Sequence, residues 1–336
     1  MKEPGSHIIK DIFNNDNAAW ESVALEIFAF QHTHNPVYRR FCDILNIDPA
    51  DVRKPENIPF LPIQFFKSHR VVTGQFDPEI IFESSGTTGA VNSRHFVKNT
   101  TIYEESFLKG FEKFYGSPAG YCIIGLLPSY LERGGSSLVY MVNDLIQRSG
   151  HAASGFYLYD HKKLGQTLLQ NEASGQRSIL IGVTYALLDF AEQYPMQLKN
   201  TIIMETGGMK GRRQELTREE VHEILKRQTG ITNIHSEYGM TELLSQGYSA
   251  GNGLFYPTDT LKILLRAEDD PFEVNATIPG DKKFTSGAIN IIDLANIYSC
   301  SFIATDDMGK LYADGSFEVL GRLDNSDIRG CGLMIL

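Results

Sequence analysis

The stretch "FESSGTTGAV", Phe82 to Val91, places two serines, two threonines and two glycines in the six residues Ser84, Ser85, Gly86, Thr87, Thr88 and Gly89. Glycine lets the backbone approach a ligand closely, and hydroxyls are small donors, so successive N–H groups can curl around an anion. The composition suits a phosphate cradle and, equally, an ordinary surface loop. It is not a Walker A loop, because no Lys-Ser/Thr pair follows Gly89. A second cluster, "SEYGMTELLSQ", offers Tyr238 as a flat ring, Gly239 as a turn, Thr241 as a hydroxyl and Glu242 as a hard carboxylate of the kind Mg²⁺ favours. A third, "FIATDDMGKL", sets Asp306 and Asp307 after an apolar run, for ribose hydroxyls or for a turn. In the fourth, "VLGRLDNSDIRGC", Arg322 and Arg329 suit phosphate, carboxylate or loop salt bridges.

These residues need a scaffold. Residues 1–80 read as a helical N-terminal segment: "AAWESVALEIFAFQ" keeps apolar residues near a 3.6 period, and Pro36 can open a helix into "VYRRFCDIL". Beyond it, "EIIF", "YCIIGLL", "SILIGV", "TIIMET", "ITNIH", "LKILL" and "AINIID" read as strands, the longer runs apolar enough for burial on both faces. Helical stretches lie between several of them. In "LTREEVHEILKRQTG", Thr217 and Glu220 form a capping box and Gly230 a stop. Alternating strands and helices predict an α/β layered core over 81–321 with a largely parallel sheet, followed by a stub at 322–336. The Asp314-Gly315 pair predicts a hairpin near its end.

The 336 residues are 42% hydrophobic and carry a net charge of -10, with no run of basic residues, which argues against nucleic-acid partners and anionic membranes. Phosphate chemistry here means a small ligand. The four cysteines, Cys42, Cys122, Cys300 and Cys331, lack metal or disulfide spacing, and the longest apolar run is too short to span a bilayer, so a cytoplasmic location is expected. No G-x-S-x-G supports a serine hydrolase.

In their order, "SSGTTG", "YGMTE", "TDD" and "GRLD" resemble the phosphate loop, adenine-side and magnesium motif, ribose motif and hinge of the adenylate-forming superfamily of acyl-CoA synthetases and related ligases. "FLPIQFFK", "LPSYLERGGSSLVYMV", "TGGMKGR" and the ending "RGC" resemble more closely the acyl-protein synthetase branch of bacterial luminescence fatty-acid reductase. The resemblance implies that a carboxylic acid, a fatty acid in that branch, is activated with ATP and Mg²⁺ to an acyl adenylate and passed to a thiol. It implies that Ser84 to Gly89 hold the β and γ phosphates, and that Thr241 touches the α-phosphate. Glu242 then binds magnesium, Tyr238 and Gly239 border the adenine, Asp307 binds the ribose near Arg322, and Gly207 and Gly208 lie at the nucleotide site.

Three departures from the family pattern stand out. "AVNSRHFVK" lacks the usual lysine after the loop, leaving Arg94 or Lys98 as substitute cations, although a guanidinium is no copy of an ammonium. Asp306 replaces the usual glycine before the ribose aspartate. The C-terminal lid that carries the family's catalytic lysine is expected to be absent, because the sequence ends 14 residues after Arg322. The thiol acceptor is then CoA, a partner protein or Cys331, which stands between glycines near Arg329 and reads equally as a terminal-turn residue. A carboxylate–CoA ligase and a catalytically silent nucleotide-binding subunit are the competing readings.

Overall fold

A computed structural model describes residues 5–14, 19–84, 91–128, 135–207, 213, 216–268, 270, 272–275 and 282–323. Helices Ser6–Asn14, Trp20–His34 and Pro36–Ile44 open the chain. Pro36 starts the third because its missing N–H is not needed there, while the Asn35 side chain accepts from Val37 N and Tyr38 N. The amide of Asn35 also donates to Ser299 O at 2.9 Å. Gln31 donates to the carbonyls of Asn296 and Ile297, both at 3.0 Å, and accepts from Ser301 N at 2.9 Å. Trp20 donates its indole N–H to Asp259 O, with the Lys262 ammonium 5.0 Å from the ring. These buried polar side chains fasten the helices to the body of the protein.

Strand β1 (Leu61–Pro62) follows, and then β2 (Ile80–Glu83) and β3 (Arg94–Val97) form a two-stranded antiparallel hairpin of their own. The "EIIF" run is therefore not a member of the parallel sheet, and Ser84 directly follows a hairpin strand. The parallel-rich sheet is built from β4 (Cys122–Leu126), β5 (Gly155–Phe156), β6 (Ser178–Val183), β7 (Thr201–Thr206) and β8 (His235–Tyr238), with β9 (Gly247–Ser249) and β10 (Tyr256–Pro257) added antiparallel. Every residue of β4 and β6 is buried, as expected for strands covered on both faces. The strand expected at "ITNIH" begins only at His235. Gly230 caps helix Arg218–Thr229 at φ 71°, and residues 231–234 are the connection that tucks Ile231 and Ile234 into the core. That helix carries the expected capping box.

A second sheet is mostly antiparallel: β11 (Leu261–Arg266), β12 (Val274–Asn275), β13 (Phe284–Asp293), β14 (Phe302–Tyr312) and β15 (Phe317–Arg322), with β1 parallel to β14. Apolar runs such as "AINIID" do not encode strand direction, so this sheet escapes a reading by composition. β14 runs straight through "TDD", and its alternating burial turns Asp307 inward. The Asp314-Gly315 turn joins β14 to β15 as expected. Cys42, Cys122 and Cys300 are free and buried, and burial pushes the Cys42 thiol up to about 12, so all three serve as packing residues.

Candidate active site

The hairpin meets the turn after β8. Ser84 Oγ accepts from Ser93 N at 2.9 Å, and Ser84 N donates to Ser93 O, which closes the stem beneath the hydroxyl-rich loop. Ser93, itself buried, hydrogen-bonds the Glu242 carboxylate. Two residues on, His95 Nδ1 lies 2.9 Å from Thr241 O and Nε2 lies 2.9 Å from Asn296 Oδ1, while Asn296 donates to Glu242 O at 2.7 Å. The carbonyls of Thr241 and Glu242 are thus held by a β3 histidine and by the 3-10 turn Leu294–Asn296 at the end of β13. Both His95 nitrogens face oxygens, so a neutral ring donates to only one. Burial nevertheless holds it neutral, with its pKa lowered to about 4.

Asp293 completes the clamp by accepting from Leu244 N at 2.7 Å and Ser245 Oγ at 2.6 Å. Burial raises its pKa to about 6, against the pull of these bonds. Glu242 is also buried. Desolvation lifts its pKa, and the Ser93 bond and the charges of Lys67 and Arg322 oppose that rise.

Across the site, Tyr238 donates its hydroxyl to Asp307 Oδ2 at 2.9 Å, and Arg322 Nε stands 3.5 Å from Asp307 Oδ1. Arg322 and Asp307 are cross-strand partners in the β14–β15 ladder, which fixes their pairing. Desolvation raises the Asp307 pKa, while Tyr238 and Arg322 resist it. The Tyr238 ring is buried and meets Phe317 edge-on at 5.4 Å. Asp306 instead accepts from Gln64 Nε2 at 2.5 Å. Arg322 projects into solvent with 83% of its side chain exposed, so it is free to turn toward a bound anion.

The structure thus gathers Ser84, Tyr238, Gly239, Thr241, Glu242, Asp307 and Arg322 around the junction of the hairpin and the two sheets. Gly207 follows β7 at φ 69°, its carbonyl accepting from Thr184 Oγ1 at 3.1 Å. Arg94 lies on the opposite face of β3 from His95, its guanidinium 5.6 Å from the Phe96 ring centre. Lys98 Nζ sits 4.0 Å over Tyr298. Arg213 pairs with Asp189 and Glu192. Ser85, Gly86, Thr87, Thr88, Gly89, Gly208 and Cys331 lie outside the described residues. Sequence reasoning missed Ser93, His95, Asp293 and Asn296. Of these, only Asp293 carries a local signal, as the Asx cap of the turn that follows it. Among the described residues no group of three or more His, Cys, Asp or Glu could by itself hold a metal ion.

No protein-family model and no curated protein matches the chain. Solved structures do. 2-Hydroxyisobutyryl-CoA ligase, in the postadenylation state in complex with R3-HIB-AMP, aligns with a TM-score of 0.56 at 8% identity over 94% of this chain and 70% of that one. The ATP-bound RpMatB-BxBclM chimera B3 aligns at 0.53 and 15% identity, over 74% of this chain and 49% of that one. O-succinylbenzoate coenzyme A synthetase from Bacillus subtilis, in complex with ATP and magnesium ion, aligns at 0.50 and 16% identity, over 76% and 52%. The chain therefore spans about half the length of the last two. At such identities the likeness is one of fold: this is the mixed α/β fold, rich in parallel strands, of the large N-terminal domain of adenylate-forming ligases.

Proposed function

We propose that the chain activates a carboxylic acid with ATP and Mg²⁺ as an acyl adenylate and hands the acyl group to a thiol. In the first step an oxygen of the acid attacks the α-phosphorus and the bond to pyrophosphate breaks. In the second a thiolate attacks the acyl carbonyl and AMP leaves. The observation that carries this reading is the clamp on the Thr241–Glu242 turn, which presents a buried carboxylate beside the serine stem of the hydroxyl-rich loop. A lone carboxylate suits Mg²⁺, which takes one or two protein carboxylates together with nucleotide phosphates. Magnesium, when bound, would neutralise phosphate charge, and Glu242 is the residue to hold it. Charge accumulates on the phosphates during transfer, so donors fixed in advance lower the barrier. Ser84, Ser85, Thr87 and Thr88, with Gly86 and Gly89, are the proposed donors to the β and γ phosphates, and Thr241 the donor to the α-phosphate. Asp307, steadied by Tyr238 and Arg322, is the ribose acceptor, with the adenine beside Tyr238 and Gly239.

For the second step, the acyl-protein synthetase resemblance favours a protein thiol, and Cys331 is the candidate in this chain. Incubation with ATP, Mg²⁺ and a panel of carboxylic acids tests the reading. Pyrophosphate release with acyl label retained on protein is the expected result. Release with label on CoA makes the chain a carboxylate–CoA ligase, and ATP binding without release leaves a nucleotide-binding subunit.

A further inference from the structure

Glu237 immediately precedes the tyrosine that contacts Asp307, and strand alternation sends its side chain to the opposite face of β8. The residue is 8% exposed, and its carboxyl accepts from Thr206 Oγ1 at 2.6 Å. The other oxygen, Oε1, lies beside Gly239, where a methyl group in place of the glycine hydrogen would stand 2.4 Å from it. Gln246 closes the same spot, with Cγ 3.8 Å from that methyl position, and its amide oxygen has no hydrogen-bond partner among the described residues although the residue is 3% exposed. Directly across the β8–β9 ladder from Glu237 stands Tyr248, whose buried hydroxyl is likewise unpartnered among the described residues. Native interiors seldom leave such groups unpaired unless a ligand or water completes them. A buried carboxyl, with Gln246 packed beside it and Tyr248 across the ladder, each bearing an orphaned polar end, therefore lies on the strand that leads into the turn carrying Thr241 and Glu242.

We infer that this cluster reads the acyl end of the substrate, and that the acid activated here carries a hydrogen-bond donor, a hydroxyl or an ammonium group, rather than a bare alkyl chain. The inference rests on the adenylation reading and names the substrate class of that site. A nucleotide lying along the Tyr238 and Asp307 face would leave the carboxylate to be activated at the Gly239 turn, and the remainder of the acid on the Glu237 face. Burial raises the Glu237 pKa to about 7, so a neutral carboxyl serves a hydroxyl substrate and an ionised one serves an ammonium. A site built to hydrogen-bond such a group discriminates strongly against an analogue lacking it, because its own buried polar atoms are then stranded.

The test is ATP–pyrophosphate exchange with acids matched in length and bearing a terminal methyl, hydroxyl or amino group, with ATP binding followed separately by calorimetry. A hydroxyl or amino acid should exceed its methyl partner by at least about tenfold in kcat/KM. The two polar arms identify which donor is read. Glu237→Met, which keeps the bulk and removes both carboxyl oxygens, should erase most of that preference while retaining exchange, and Tyr248→Phe, which keeps the ring packing, should reduce it. Equal or better exchange with methyl acids, or an unchanged preference in both variants, overturns the inference while leaving adenylation standing. ATP binding without exchange for any acid overturns adenylation and this inference with it.

Discussion

The Tyr238 hydroxyl bonds Asp307 Oδ2 at 2.9 Å, joining the last residue of β8, in the parallel-rich sheet, to the middle of β14, in the mostly antiparallel one. Two sheets are stitched at the point where a ribose acceptor is expected. Asp307→Ala should weaken ATP but spare inorganic triphosphate, since only the ribose contact is lost. Asp306→Ala should have the smaller effect on ATP, because Asp306 is engaged by Gln64. Tyr238→Phe leaves the buried carboxylate with one partner fewer and should cost about 1–3 kcal/mol in urea unfolding. Calorimetry with ATP and with triphosphate checks the first pair. Equal loss of both ligands in Asp307→Ala, or a larger loss in Asp306→Ala, counts against this assignment.

Glu242→Gln keeps the shape of the side chain and removes its charge. Nucleotide binding should lose its dependence on magnesium while the fold persists, because an amide is a poor ligand for a hard cation. Since Glu242 is buried and desolvation raises its pKa, the variant should be at least as stable as the parent at neutral pH. Full magnesium dependence in the variant places the metal carboxylate elsewhere.

Glu237 gives a dependence on pH. Its pKa in the folded protein is about 7, against an ordinary value of 4.5, so between those values the folded chain keeps a proton that the unfolded chain releases. Its contribution is full at the acid end, falls as pH rises through the window and is flat above it, a total on the order of 3 kcal/mol. His95 acts in the opposite sense: its lowered pKa makes the fold lose stability as pH falls from 6.5 toward 4. Both chains share that term, so the difference between wild type and Glu237→Gln isolates the carboxyl. The variant should gain on wild type by on the order of 2–3 kcal/mol between about pH 5 and about pH 8, read by denaturant titration. Parallel curves would falsify the assignment.

Cys331→Ser should release pyrophosphate at close to the parental rate and lose acyl label that survives denaturation and is removed by hydroxylamine. Adenylation and transfer use different residues, which is why the two readouts separate. Undiminished label on the variant moves the nucleophile to a partner or to another cysteine. Cys42, Cys122 and Cys300 are poor candidates, because burial raises the pKa of each thiol.

Local signals proved readable from the sequence, and contacts between distant segments did not. The Thr217 and Glu220 capping box, the opening of a helix at Pro36 and the Asp314-Gly315 hairpin each depend on neighbours within a few residues. The clamp on Glu242 joins His95 to Asn296, 201 positions apart, and a lone histidine in "SRHFV" shows no periodicity that would single it out. The inward turn of Asp307 follows from the alternation of β14, but only once that strand is known to continue through the motif. Strand direction in the second sheet was hidden because burial selects apolar residues in either orientation.

Trp20 is the single tryptophan of the sequence, and it is buried where helix Trp20–His34 rests on the residues leading into β11. The tryptophan emission of the protein therefore comes from one contact, an indole bonded to Asp259 O with the Lys262 ammonium near its ring. Detachment of that helix would appear as a red shift without any attached dye, and the N-terminal segment carries its own optical gauge of whether it is seated.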